Sequence, residues 1–140
     1  MSCRGVRGAT TVEANDRNTI IQGTKELLAW MILANDISEA DVSAAFFTAT
    51  PDLNAAFPAA AARRIGWKNV PLFGAQELAV ENAPPRCIRI LLLWETDRPR
   101  EEIQHVYLNG ATALRPDLPA PAVDREKLKD LIENRTNGGE

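Results

Sequence analysis

The amino-acid sequence predicts a single domain of the α+β class. Its 140 residues can bury one hydrophobic core but are too few for two domains of ordinary size. Hydrophobic residues make up 45% of the chain and charged residues 25%, as in ordinary globular proteins. Segments with the two-residue period of strands alternate with segments of helical period, so we expect helices packed on a sheet.

The chain is expected to begin with a strand and a long helix. Residues 3–12 alternate apolar and polar side chains, which is the period of a strand. Asn15 or Asp16 then offers a helix N-cap, and the apolar residues that follow recur at helical spacing as far as a break at Asn35 and Asp36. This helix should cover one face of the sheet.

The middle of the chain predicts a strand, a helix and a second, shorter strand. Residues 42–48 have the composition of a buried strand. Residues 54–65 are rich in alanine and should form a helix that ends at Gly66, with Pro58 near its start. Residues 70–73 are expected to form the short strand.

A loop over residues 77–86 precedes the strongest strand prediction, Cys87–Thr96. The apolar residues of that segment occupy both faces, which is typical of a central strand. Residues 100–108 are expected to form a helix that ends at Asn109-Gly110, and residues 111–115 a last short strand.

The C-terminal segment is punctuated by prolines and differs from the rest of the chain. Residues 124–135 place Leu128, Leu131 and Ile132 among charged residues, which indicates a weak amphipathic helix. We therefore expect a domain over residues 1–118 and a mobile or weakly helical tail over residues 119–140.

Composition and charge disfavour several classes of partner. A net charge of -3 provides no overall field for nucleic acid or anionic lipid. No apolar run approaches the roughly 20 residues that cross a bilayer, and the first residues lack the apolar core of a secretory signal, so we expect a soluble cytoplasmic protein. Cys3 and Cys87 lack metal-ligand spacing and are interpreted as reduced, buried thiols.

Arg89 is the most informative candidate residue because it interrupts the apolar central strand. An unpaired guanidinium is costly to bury, so this side chain must face a ligand or a protein partner. The sequence alone leaves open an internal ion pair with Glu77 or Glu95.

The other arginines carry less information when each is considered alone. Arg4 and Arg7 should point to opposite faces of the first strand, and we expect a structural salt bridge for Arg4, while for Arg7 structure and function stay open. Arg63 and Arg64 complement the dipole at a helix end. Arg115 fits a local ion pair in a turn.

The sequence offers little for acid–base or nucleophilic catalysis. His105 is the only histidine, and no serine or cysteine has a recognisable nucleophile setting. Gly5 and Gly8 lack the third glycine and the strand-turn-helix context of a dinucleotide site. No cofactor and no metal ion are expected.

The run from Arg4 to Glu13, RGVRGATTVE, resembles the opening strand of the trimeric, non-helical chorismate mutase family. Further blocks resemble that family in order and spacing, over a span from about Cys3 to Leu118: Thr50-Pro51-Asp52-Leu53, Phe57-Pro58-Ala59, Val70-Pro71, Gln76-Glu77, Cys87-Ile88-Arg89, His105-Val106-Tyr107-Leu108 and Leu114-Arg115-Pro116-Asp117-Leu118.

The resemblance implies an isomerase that rearranges chorismate to prephenate on the route to phenylalanine and tyrosine. It also implies a mixed sheet flanked by helices, with three subunits forming a pseudo α/β-barrel and a site in each intersubunit cleft. One subunit would contribute Arg7, Phe57, Ala59 and Arg63. Its neighbour would contribute Leu72, Phe73, Gly74, Glu77, Arg89, Tyr107, Leu114 and Arg115.

Catalytic roles in this comparison belong to Arg7, Glu77 and Arg89, and the other residues bind the substrate. Two positions depart from the family pattern. Ala60 stands where a lysine is common and Gly74 where a cysteine is common, so each change removes a polar group. Arg63 or Arg64 could replace the missing charge, and the Gly74 backbone N–H could still donate.

Two alternative functions fit parts of the sequence. A trimer could bind chorismate or a related aromatic acid as a non-catalytic sensor, although the retained Arg7, Glu77, Arg89 and Tyr107 argue against this hypothesis. An imine deaminase on a similar trimeric fold is the other alternative, and the quoted blocks disfavour it.

Overall fold

The computed structural model describes residues 2–133. Within this part of the chain the strands are β1 (Ser2–Thr11), β2 (Val42–Ala49), β3 (Leu72–Gln76), β4 (Cys87–Thr96) and β5 (Val106–Tyr107). The helices are α1 (Arg17–Asn35), α2 (Ala60–Arg64) and α3 (Arg125–Glu133). Short 3-10 helices cover Glu39–Asp41, Arg100–Glu102 and Asn109–Leu114.

The strands form one mixed sheet in the order β3-β2-β4-β1-β5. β4 is antiparallel to both of its neighbours, β1 and β2, while β3 runs parallel to β2 and β5 runs parallel to β1. The expected α+β class with a mixed sheet is confirmed. β4 lies at the centre because its apolar side chains suit burial between two neighbouring strands.

α1 covers one face of the sheet, as predicted. The carboxylate of Asp16 caps its N-terminus by accepting a hydrogen bond from the Thr19 backbone N–H at 2.8 Å, and Asp36 ends it in a left-handed conformation with φ 57°. A Cβ atom at Gly8 would collide with the Met31 sulfur, so this glycine lets strand and helix approach closely. The main core lies between these layers.

The opposite face of the sheet carries Arg7 and Arg89 and is called the open face below. Among residues 2–133, no α-helix packs over it. The 3-10 helix Asn109–Leu114 covers only its β5 edge, through Ala111 against Ala9 and Cys87, and several apolar side chains elsewhere on the face remain accessible. Phe73 is 60% exposed, and its ring packs edge-on against Phe46 with centroids 5.9 Å apart. Leu91 in the central strand β4 is only partly buried.

Two predictions for the segment that follows β4 are wrong. Residues 100–108 form a 3-10 turn and strand β5 instead of one helix, because the buried Asn35 amide bonds both backbone groups of Gln104 and directs the chain along β1. Residues 111–115 belong to a 3-10 helix instead of a strand. Gly110 N–H donates to Thr11 Oγ1 at 2.9 Å, which starts that helix.

The alanine-rich helix is shorter than predicted. α2 covers Ala60–Arg64 only, because the backbone N–H groups of Asn54 and Ala55 donate to the Asn15 side chain and hold the preceding segment in turns. The following strand also differs, since β3 begins at Leu72 and continues to Gln76.

Two side chains near the N-terminus differ from expectation. Cys3 is exposed, whereas Cys87 is buried as predicted. Arg4 donates through Nε to the Arg98 carbonyl oxygen at 2.9 Å, so its hydrogen bond is to the backbone and not the expected salt bridge to a carboxylate.

The tail contains helix α3, which packs against α1. Leu128 of α3 is 6% exposed and joins the main core, and the guanidinium of Arg125 lies over the Trp30 ring at 5.3 Å. The helix was predicted over residues 124–135, and the last two of these residues lie outside the described part of the chain. None of the described helices is long and apolar enough to cross a membrane.

Candidate active site

Arg89 lies on the open face between Ala9 of β1 and Thr48 of β2. Its Nε atom is 3.3 Å from Oε2 of Glu77, in a geometry that forms an ion pair but no hydrogen bond. The internal ion pair that the sequence left open is therefore present. The Arg89 side chain is 40% exposed in the single chain, although the strand that carries it is apolar.

Glu77 is held by its neighbours as well as by Arg89. Its backbone N–H donates to the Ala49 carbonyl oxygen at 2.9 Å, which fixes the residue directly after β3. Its Oε1 atom accepts a hydrogen bond from Thr48 Oγ1 at 2.5 Å. The carboxylate therefore has one oxygen directed to a hydroxyl and one to a guanidinium, which restricts its rotation.

A second group of predicted site residues lies beside β5. The Arg7 backbone N–H donates to Nδ1 of His105 at 3.0 Å. The Tyr107 side chain is buried against Ala9, Cys87 and Ala111, with Leu114 packed on the same cluster. Arg7 and Tyr107 are therefore close to each other within one subunit, because Arg7 bonds His105 and Tyr107 pairs with Ala9. The resemblance instead takes these two site residues from different subunits.

Two ionisable groups beside this cluster have shifted pKa values. Burial, followed by the charges of Arg7 and Arg115, lowers the pKa of His105 below its usual 6.5. Burial raises the pKa of the Cys87 thiol, and the Arg89 guanidinium partly opposes that shift. Both groups are therefore expected to be uncharged at neutral pH.

Arg115 forms the local ion pair that the sequence indicated. Its Nε and Nη2 atoms donate to the two carboxylate oxygens of Asp117 at 3.0 and 2.8 Å. This bidentate contact orients the guanidinium but leaves it partly exposed. Because the pair is at the surface, its contribution to stability is small.

The remaining predicted residues lie around a cavity of about 790 Å³. Phe57, Ala59, Arg63, Leu72 and Gly74 all contribute to its lining, and Phe73 lies on the open face instead. The resemblance divides these five cavity residues between two subunits, whereas here one chain brings them together. Phe57 is 83% exposed at the edge of the cavity, so much of its ring has no packing partner in the single chain.

Sequence reasoning missed three residues of these groups. Thr48 holds Glu77, His105 accepts from Arg7, and Arg17 lines the cavity. Thr48 could have been found as the polar residue in the apolar run that follows Ser43 in β2. Arg17 carried no local signal, because the approach of α1 to the cavity depends on the tertiary structure.

A family model described as chorismate mutase type I matches residues 3–118. The chain belongs to this family. Every predicted site residue, from Arg7 to Arg115, lies within the matched span. The match ends before α3, so this helix lies outside the family region.

Curated relatives and a solved structure agree with this assignment. "Chorismate mutase AroH" of Thermus thermophilus is 52% identical over 116 residues, covering 82% of this chain and 95% of the relative. The protein of the same name from Bacillus subtilis (strain 168) is 45% identical over 119 residues, covering 84% and 94%. A chorismate mutase structure from Clostridium thermocellum has a TM-score of 0.77 and 42% identity, covering 79% of this chain and 98% of that one.

Proposed function

We propose that this protein is an isomerase that rearranges chorismate to prephenate, with Arg89 as its central catalytic residue. Family membership and the named relatives support the reaction. The observation that carries the residue assignment is the Arg89–Glu77 pair on the open face, where a guanidinium is held in place beside accessible apolar surface.

The reaction requires little chemistry from the protein. A concerted pericyclic shift breaks a C–O bond and forms a C–C bond, without a nucleophile, a proton relay, a metal ion or a cofactor. The protein must hold the flexible dianion in a compact chair form and stabilise the negative charge that develops on the ether oxygen. Fixed cations serve both tasks.

Arg89 is the residue that we assign to the ether oxygen. A fixed guanidinium interacts more strongly with the charge of the transition state than with the neutral ether of the ground state, so its effect appears in the rate. Glu77 would accept a hydrogen bond from the substrate hydroxyl. Thr48 and Arg89 already orient this carboxylate before the substrate binds.

Arg7 and Arg115 are assigned to the substrate carboxylates, together with Arg63 of the neighbouring subunit, and Tyr107 would add a phenolic donor. The location of Arg7, Tyr107 and Arg115 beside β5 supports this assignment. β5 pairs with β1, and β1 pairs with β4, the strand that carries Arg89. Charge-assisted hydrogen bonds from arginine fix the orientation of a carboxylate as well as its affinity. Leu114 would provide one apolar wall and Phe57 of the neighbouring subunit another.

We further propose a homotrimer with an active site in each intersubunit cleft. The accessible apolar residues of the open face support this assembly, because exposed apolar patches mark interaction surfaces. A neighbouring subunit would bring Phe57, Ala59 and Arg63 to the open face of the first, and Phe57 would lose much of its exposed area. Light scattering coupled to size-exclusion chromatography should give the molar mass of three chains. A stable monomer with full activity would contradict the shared site.

The deciding experiment is an assay of chorismate loss and prephenate formation with the purified chain. Conversion far above the spontaneous rate is expected. Binding of chorismate without prephenate formation would instead favour the sensor. A cytoplasmic location and the absence of a nucleic-acid partner stay predictions from the sequence.

A further inference from the structure

The cavity beside α2 has an unusual charge composition. The only charged side chains in its lining are those of Arg17 and Arg63, and no aspartate or glutamate among the described residues contributes. The remaining lining is apolar apart from a few neutral polar groups such as Thr50, Asn54 and Gln76. A concave surface with two cations and no carboxylate attracts anions.

Neither guanidinium is neutralised by the part of the chain that the structure describes. No ion pair among residues 2–133 involves Arg17 or Arg63. Asp16 is next to Arg17 in sequence, but its two carboxylate oxygens accept hydrogen bonds from the Thr19 backbone N–H and hydroxyl at 2.8 and 3.0 Å. Asp16 therefore forms no ion pair with either guanidinium, and both can still pair with a ligand.

Arg17 also stands at a position that does not favour a cation. It is the first residue of α1, and the first turn of this helix contains no acidic residue. The helix dipole is positive at this end, so a cation here lowers the stability of the helix. The Asp16 carboxylate that caps this helix end offsets part of the dipole, but the helix itself gives the Arg17 cation no stabilising role.

We propose that Arg17 is a further substrate-binding residue, which together with Arg63 attracts and holds a carboxylate of the dianionic substrate at this cavity. This inference rests on the proposed function. Ala60 in the same lining provides no charge, so Arg17 doubles the positive charge that Arg63 alone would supply. Arg89 on β4 is the residue assigned to the breaking C–O bond, whereas Arg17 lies on α1. Replacing Arg17 should therefore affect capture of the substrate and not the bond-breaking step.

The test compares three variants with the wild-type enzyme at low and high ionic strength. Arg17→Gln should lower kcat/KM about fivefold at low salt, through a higher KM, with kcat within about twofold. The difference should shrink at high salt because exposed charges are screened. Arg17→Lys should keep most of the activity.

Arg100→Gln is the matched control. It removes the same charge from an exposed residue in the 3-10 helix that follows β4. This change should leave both kcat and KM unchanged. Circular dichroism should show all variants folded, since Arg17 is exposed. An unchanged kcat/KM in Arg17→Gln, or a loss equal to that in Arg100→Gln, would overturn the proposal.

Calorimetry separates this inference from the proposed function. If the wild-type chain does not convert chorismate, the function fails, but titration of chorismate into wild-type protein and Arg17→Gln still tests Arg17. Weaker binding by the variant supports the role of Arg17 in anion capture. Equal binding, or no binding by either protein, refutes it.

Discussion

Arg89 and Glu77 meet across strand β2, with the Nε atom of one 3.3 Å from Oε2 of the other. Arg89 lies on β4 and Glu77 directly follows β3, so the two backbones are separated by the strand that carries Thr48. The Thr48 hydroxyl holds the other oxygen of Glu77. Three elements therefore determine the position of one ion pair.

Replacing Arg89 by alanine should remove the main transition-state interaction. The expected loss is about 3 kcal/mol or more, or roughly 100-fold in kcat/KM, judged from the removal of comparable oxyanion donors. Steady-state kinetics at neutral pH measure it. Arg4→Ala is the control, because Arg4 is on the opposite face and bonds the Arg98 carbonyl. Near-normal turnover in Arg89→Ala would refute the assignment.

Thr48→Val should affect catalysis more than stability. The change keeps the shape of the side chain but removes the hydroxyl that orients Glu77, so we expect a three- to tenfold lower kcat, which is about 1 kcal/mol. Ser43→Ala is the control, since that hydroxyl bonds Glu95 at the other end of β2. If both variants have wild-type kcat, the orientation of Glu77 by Thr48 has no catalytic role.

His105 predicts how stability depends on pH. Its pKa in the folded protein is lower than 6.5, so in the window from 6.5 down to that value the unfolded chain binds more protons. The free energy of unfolding should therefore fall as pH falls through this window and should not depend on His105 above it. Protonation of Nδ1 would also break its bond to the Arg7 N–H.

Denaturant titrations at several pH values measure this effect in wild-type protein and in His105→Asn, whose side-chain oxygen can accept the same bond. The variant should lose part of the decline at acidic pH. The same slope in both proteins would show that other groups cause the decline.

The reaction itself should respond little to pH near neutrality. No proton is transferred in a pericyclic step, so kcat between about pH 7 and 9 should vary by less than about twofold. A bell-shaped profile in that range would indicate an acid or base in the mechanism. Such a result would favour a hydrolytic reaction, as in the imine deaminase alternative.

Helix α3 should contribute to stability and not to catalysis. Leu128→Ala removes a buried side chain from its contact with α1 and should lower the free energy of unfolding by about 2–3 kcal/mol, with kcat/KM unchanged. Lys129→Ala on the exposed side of the same helix is the control. A large loss of activity in Leu128→Ala would show that α3 affects the site.

Part of the site can be predicted from residue type alone. Arg89 is conspicuous because a charge in a central apolar strand needs a partner, and Glu77 is one of the two carboxylates that the sequence suggests for it. The long helix α1 is also predictable, since its cap and its apolar period are local signals.

The errors are in short segments where local preference is weak. Gln104 has no strand signal of its own, but two hydrogen bonds with Asn35, 69 positions away, set its path into β5. The segment after Asn109 follows from a bond between Gly110 and Thr11. Contacts of this range cannot be read from local periodicity.

The sequence by itself determined the α+β class, the central strand and the excess of candidate arginines, because hydrophobic period and charge are properties of the chain. Only the tertiary structure decided which of these arginines share a surface. Arg7 and Arg89 lie on the open face and Arg115 is close enough to His105 to lower its pKa, whereas Arg17 joins Arg63 at the cavity. The physical reason is that strand order and register, which depend on non-local pairing, decide which distant residues become neighbours.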